Sequence, residues 1–136
     1  VLFRVYGFSR NLRKEVTRKP KIYFWDTGIR NALIGRQQPL DRREDVGALW
    51  ENFLVVERQT ANAYRRRHCE LRFWRIYTGA EIDLVEDCGD APEAFEIKWR
   101  SSRRWRVPDA WTETYPKAGY SVVDRDNWLE FAVGVE

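Results

Sequence analysis

The chain of 136 residues has no methionine, one histidine (His68) and two cysteines (Cys69 and Cys88). A single histidine with one adjacent cysteine excludes a multi-histidine or cysteine-rich zinc centre. Two cysteines are too few for a disulfide framework and lack metal-type spacing, so the expected setting is a reduced cytoplasm. Apolar runs fall short of the roughly 20 residues that cross a bilayer as a helix, and no secretory pattern opens the chain. A Gly-x-Ser-x-Gly nucleophile elbow is missing, as is a Gly-x-x-x-x-Gly-Lys-Ser/Thr phosphate loop. The lack of methionine, and an opening strand with no partner before it, are expected of a piece of a longer protein.

Aromatic residues are plentiful: seven Trp, seven Phe and six Tyr, within an apolar content of 43%. That supply of core material excludes disorder and suits one ordinary domain. The formal charge is only +3, but it is clustered. One basic block comprises Arg10, Arg13, Lys14, Arg18, Lys19 and Lys21, a second Arg65, Arg66 and Arg67, and a third Arg100, Arg103, Arg104 and Arg106. Taken alone, each reads most plainly as a solvated face balanced by the 21 acidic residues. The third gains weight from the acids beside it, and is the one assigned to a polyanion such as nucleic acid.

Residues 1–6 read as a strand, Ser9–Lys19 as a basic connection, and Ile22–Trp25 as a second short strand after Pro20. Asp26 offers an N-cap for a short helix through Leu33, which Gly35 stops. Residues 1–35 form an accessory segment and 36–45 a loop. From Asp45 to Tyr64 the pattern is helical, with Val46, Leu49, Trp50, Phe53, Leu54, Val56, Thr60, Ala61 and Tyr64 on one side. Glu51 lies at the flank of that stripe and Glu57 near its middle, where a carboxylate requires a partner. An arginine is the plainer partner for Glu57, and water for Glu51. Strands follow at 71–77, 80–85 and 94–99, then a helix from Pro108 containing Trp111 and Tyr115. Two last strands are expected at 120–123 and 129–133.

The centre of the chain is the pair of strands Ala80–Val85 and Ala94–Trp99, joined by the turn formers Asp87 to Pro92. Period-two alternation places Phe95, Ile97 and Trp99 on one face and Glu96 and Lys98 on the other. In the preceding strand Ile82 and Leu84 share a face, opposite Glu81 and Asp83. The hairpin thus gathers carboxylates and one ammonium on one surface, a set suited to a divalent metal. The plainer account of Lys98 is a cross-strand ion pair with Glu96 or Asp83.

This order of elements, with Asp83 and Glu96-Ile97-Lys98 separated by 12 residues, resembles the PD-(D/E)XK nucleases of restriction-endonuclease-like fold. The implied class is α/β with a mixed sheet: a core of helix, three-stranded meander, helix and further strands over residues 46–136. Gly47-Ala48-Leu49-Trp50-Glu51 resembles the acid-bearing helix of the Holliday-junction-resolvase type. Over nearly the whole chain, Pro20–Gly28, Gly47–Phe53 and Gly79–Asp83 resemble the C-terminal domain of unknown function in prokaryotic AAA-type ATPases. That resemblance implies an ATPase, and its ATP, upstream of Val1.

The chemistry implied is Mg²⁺ or Mn²⁺ held by Asp83, Glu96 and the Ile97 carbonyl, with Lys98 and Glu51 as catalytic residues. Lys98 orients water and stabilises developing charge, and Glu51 completes the metal shell. Glu81 and Glu57 are the secondary candidates. Three readings stand: a metal-dependent phosphodiesterase with DNA as the favoured substrate, a silent nuclease-fold module that binds nucleic acid for the ATPase, and a protein-interaction or homo-oligomerisation domain.

Overall fold

The computed structural model of the chain describes residues 1–10, 15–17 and 19–133. Arg13, Lys14 and Arg18 of the first basic block lie outside them. The described residues form a mixed α/β fold of six strands and four α-helices. The strands are β1 (Leu2–Gly7), β2 (Lys21–Phe24), β3 (Glu70–Arg75), β4 (Glu81–Asp87), β5 (Glu93–Ile97) and β6 (Gly119–Val123). The helices are α1 (Thr27–Leu33), α2 (Val46–Tyr64), α3 (Asp109–Thr114) and α4 (Trp128–Val133). One sheet runs β2-β1-β3-β4-β5-β6. Its β1–β3 and β5–β6 pairs are parallel and the rest antiparallel.

A core lies on each face of the sheet. Leu54 and Val55 of α2 and Phe131 of α4 pack with Val5, Phe73, Leu84 and Ile97 on one side. Trp111 and Tyr115, at and just beyond α3, pack with Phe8, Trp74, Ile82 and Val85 on the other. The opening strands, expected to be accessory, are therefore the edge of the same sheet that carries the central acids.

The last expected strand is a helix instead. The side chain of Asn127 accepts from Asp124 N–H, Asp124 accepts from Asp126 N–H, and Trp128 N–H bonds the Asp124 carbonyl. These bonds turn the chain into α4, which buries Phe131 and Ala132 and leaves Leu129 exposed. The apparent alternation of Leu129, Phe131 and Val133 concealed the helical spacing of Trp128, Phe131 and Ala132.

In α2 the inward face is more polar than expected. Its buried residues are Leu49, Asn52, Leu54, Val55, Arg58 and Asn62, while Tyr64 is 85% exposed. The buried amides and guanidinium of Asn52, Arg58 and Asn62 each have a partner, as burial demands, whereas the indole N–H of Trp50 is buried without one among the described residues. Asn52 accepts from Phe24 N–H at 2.9 Å and donates to the Phe24 carbonyl at 2.7 Å, which pins β2 to the helix. Asn52→Ala is expected to leave both main-chain groups unpaired and to cost about 1–3 kcal/mol. Urea unfolding would measure that loss, and faster amide exchange at Phe24 would locate it. Asp45 does not cap the helix with its side chain. It is held by Arg43 and Arg30 at 2.9 and 3.0 Å.

Strand β4 does not alternate strictly. Arg72 pairs with Val85 but Trp74 with Ile82, so β4 has one residue more than β3 over that stretch. This bulge puts Ile82 and Val85 together on the α3 face and Leu84 on the α2 face. The expected sharing of one face by Ile82 and Leu84 is thereby corrected. The extra residue releases Asp83 from the pleat, and bulges commonly re-aim a side chain in this way.

Candidate active site

Asp83 stands at the bulge, where the β4–β5 ladder ends at the Leu84–Phe95 pair. Its Oδ2 accepts from the Ile97 N–H at 2.8 Å and so extends the ladder by a side chain. Lys98 Nζ lies 4.0 Å from the same oxygen and 2.5 Å from Glu96 Oε1. On the α2 side, Lys21 Nζ lies 3.0 Å from Glu51 Oε1 and 3.8 Å from Asp83 Oδ1. Tyr23 donates to Glu51 Oε1 at 2.5 Å. The charges thus form one chain, Glu51–Lys21–Asp83–Lys98–Glu96, which passes around the end of the strands.

Three carboxylates face two ammonium groups, and the imbalance shows in their acidity. Burial, reinforced by the negative charges of Glu51 and Glu96, raises Asp83 to about 6 despite the Ile97 N–H and Lys21. Burial works against a charged Lys98, but its bond to Glu96 and the charge of Asp83 outweigh it and hold the ammonium above the ordinary lysine value. Tyr23 is raised by burial and by Glu51. Burial and the charges of Glu96 and Asp83 push Tyr120 up to about 12. A surplus of negative charge around a half-desolvated acid invites another cation.

The structure brings Asp83, Glu96, Lys98 and Glu51 together. Ile97 enters through its N–H, whereas its carbonyl was the expected ligand. Glu81 is not part of the cluster: it pairs with Arg75 at 3.1 Å and is exposed. Glu57 stands about 120° around α2 from Glu51, away from the line of Glu51, Val55, Arg58 and Asn62. It is half-buried and has no bond to the cluster among the described residues. Arg100, Arg103, Arg104 and Arg106 are exposed between β5 and α3, with no ion pair among the described residues. Trp105, in their midst, lies under Lys98 with its ring centroid 4.5 Å from Nζ. Arg67 of the second block is not a free basic group, since it pairs with Glu86 at 3.1 Å.

Lys21 and Tyr23 were missed. Their spacing puts both on one face of a short strand, but nothing local points to an acid 30 or 62 positions away. The cysteines also depart from expectation, because Cys69 and Cys88 are joined in a disulfide. They flank β3 and the β4–β5 turn, which the antiparallel pairing of Glu70 with Asp87 brings side by side. With Glu86 they form the one group of three metal-type ligands within 4.8 Å of one another among the described residues, but the sulfurs are spent on each other. The oxygens of Glu51, Asp83 and Glu96 do not close to that distance, because the two lysines stand between them. Each outer acid is instead adjacent to Asp83, whose Oδ1 takes no hydrogen bond from a described residue. Glu51, Asp83 and Glu96 are hard-oxygen donors, the kind of ligand that ions of the Mg²⁺ type take.

Fold and cluster define a mixed α/β domain with a carboxylate–lysine site at the end of a bulged central strand. The chain belongs to the family described as "Domain of unknown function (DUF4143)", which matches residues 46–135. A second family of that kind, "Domain of unknown function (DUF8612)", matches residues 1–40. The site draws on both segments, Lys21 and Tyr23 from the first and the acids and Lys98 from the second. Uncharacterized proteins of Mycobacterium bovis and Mycobacterium tuberculosis are each 35% identical over 94 residues, or 68% of this chain. The match spans 20% of each relative's length. No solved structure matches the chain. No helix among the described residues is long and apolar enough to cross a membrane.

Proposed function

We propose that this chain is a nuclease-like domain of the restriction-endonuclease-like type, acting on nucleic acid, DNA foremost, with Mg²⁺ or Mn²⁺. The observation that carries the reading is the continuous chain of ion pairs from Glu51 through Asp83 to Glu96. Asp83 with Glu96, and Glu51 on the other side, are the residues that would hold the metal. When bound, the ion supplies charge neutralisation and a more acidic water. Lys98 holds its proton firmly, so it serves as a fixed positive group and hydrogen-bond donor toward a phosphate oxygen or a water. Ile97 N–H fixes the Asp83 carboxylate, and Trp105 and Glu96 fix the ammonium of Lys98. The exposed arginines between β5 and α3 supply the sequence-independent grip on a phosphate backbone. On its resemblance to C-terminal domains of AAA-type ATPases, we read this domain as the C-terminal part of a larger ATP-using protein.

The test is cleavage of supercoiled plasmid and branched DNA with Mn²⁺ and with EDTA. Cleavage is expected only with the metal, and Lys98→Ala is expected to lower it by at least about 10²-fold. Equal cleavage in EDTA, or by Lys98→Ala, overturns the reading. Salt-sensitive DNA binding that survives Asp83→Ala, without cleavage, instead favours a silent binding module, to which the exposed arginines between β5 and α3 are suited.

A further inference from the structure

The ammonium of Lys21 occupies the space between two of the three site acids. It lies 3.0 Å from Glu51 Oε1 and 3.8 Å from Asp83 Oδ1, and reaches the Asp83 carbonyl at 3.4 Å. Three features fix it there. Asn52 fastens β2 to α2 by both main-chain groups of Phe24. Tyr23, two residues along the strand, binds the same Glu51 oxygen as Lys21. Phe73 lies beneath the ammonium, with its ring centroid 5.7 Å away.

An ammonium has three donors and no lone pair, so it neutralises carboxylates without being able to ligate a metal. An ion shared by Glu51 and Asp83 needs the oxygens that Lys21 now faces. The two cations are therefore mutually exclusive between those acids. Lys98 differs, since it stands on the Glu96 side of Asp83 and leaves that gap open.

We propose that Lys21 is a tethered counter-cation that a divalent ion displaces from between Glu51 and Asp83, so that strand β2 sets the metal affinity of the site. The inference rests on the metal-dependent reading above and concerns binding, not turnover. With Lys21 in place one positive charge bridges Glu51 and Asp83, and only an ion of higher charge density exchanges for it. Lys21 is in this sense a positioning residue. Its side chain is 23% exposed, which leaves it a path outward to solvent.

Titration calorimetry of the chain with MnCl2 alone, at low salt, tests this. Lys21→Met keeps the stem over Phe73 and removes the charge, and is expected to bind Mn²⁺ at least about tenfold more tightly than the parent. Lys98→Met removes an equal charge without vacating the gap, and is expected to tighten binding by much less. Lys21→Gln carries the test should the methionine variant not fold by circular dichroism, with the same expectation. If the parent binds Mn²⁺, Asp83→Asn abolishes that binding, and Lys21→Met binds no more tightly, the inference is overturned while the metal reading stands. Equal tightening by Lys21→Met and Lys98→Met also overturns it, in favour of a general charge effect. Absence of Mn²⁺ binding by parent and Lys21→Met alike overturns the metal reading, and this inference with it.

Discussion

Arg58→Met is expected to cost the fold about 3–5 kcal/mol, the loss typical of a buried ion pair deprived of one partner. Arg58 bonds Glu86 through a planar fork, Nε to Oε2 and Nη2 to Oε1, both at 2.7 Å. Its remaining Nη1 donates to the Phe131 carbonyl at 2.7 Å, and the guanidinium lies against both Phe95 and Phe131, 5.5 and 5.2 Å from their ring centroids. One side chain of α2 thus ties β4 and α4 together. Glu86 is 2% exposed and, among the described residues, keeps the hydrogen bonds of Asn62 and Arg67 when Arg58 is gone. Burial alone would raise the Glu86 carboxyl, but the bonds from Arg58 and Asn62 outweigh it and hold it below the ordinary glutamate value. The sign follows: a depressed carboxyl stabilises the fold above its unfolded pKa and loses that contribution as pH falls through its folded value. Urea unfolding at pH 7 should show the full difference between parent and variant. At pH 4 the difference should shrink, because the stranded Glu86 of the variant takes up a proton. The double change Arg58→Met with Glu86→Leu should recover much of the loss. A single variant as stable as the parent at pH 7 would remove Arg58 from its place in the core.

Neither Arg58 nor Glu86 stands out in the sequence, and the reason is physical. Period and composition report which face of an element is apolar, but α2 buries Asn52, Arg58 and Asn62 on the strength of partners 24 to 73 residues away. The helix itself was legible, as were α1 with its Asp26 cap, the three-strand meander and the Trp111 helix, because caps, turns and spacing are local. Asp83, Glu96 and Lys98 were legible for a related reason: alternating acids and a lysine in two strands joined by a tight turn must come near each other. The bulge was not, since one extra residue leaves no composition mark, yet it decides which way Asp83 points. Lys21 and Tyr23 were hidden twice over. They lie in a basic stretch that reads as solvated, and the β1–β3 pairing that brings them to the acids is a parallel, long-range contact. Likewise, whether two cysteines 19 residues apart meet depends on the register of β3 and β4.

Asp83→Asn is expected to make the metal-free protein more stable at pH 8, by up to about 3 kcal/mol, while lowering metal-dependent cleavage by at least about 10²-fold. The stability gain follows from the direction of the Asp83 shift. A carboxyl raised to about 6 binds its proton more tightly in the folded chain than in the unfolded one. Its contribution is therefore most favourable below the ordinary aspartate pKa, falls as pH rises from about 4 to about 6, and is a constant penalty above that. The side chain is 14% exposed, so solvent does little to relieve it. Asparagine keeps an oxygen for the Ile97 N–H and removes the repulsion from Glu51 and Glu96, at the loss of the pairings with Lys21 and Lys98. Urea unfolding without metal should show the variant ahead at pH 8 and level with the parent near pH 4. Adding Mn²⁺ should stabilise the parent alone, because only the parent retains the central ligand. A variant less stable than the parent at pH 8 would mean that the two lysines already satisfy the acids in full. The surplus negative charge on which the proposed divalent-ion site rests would then not exist.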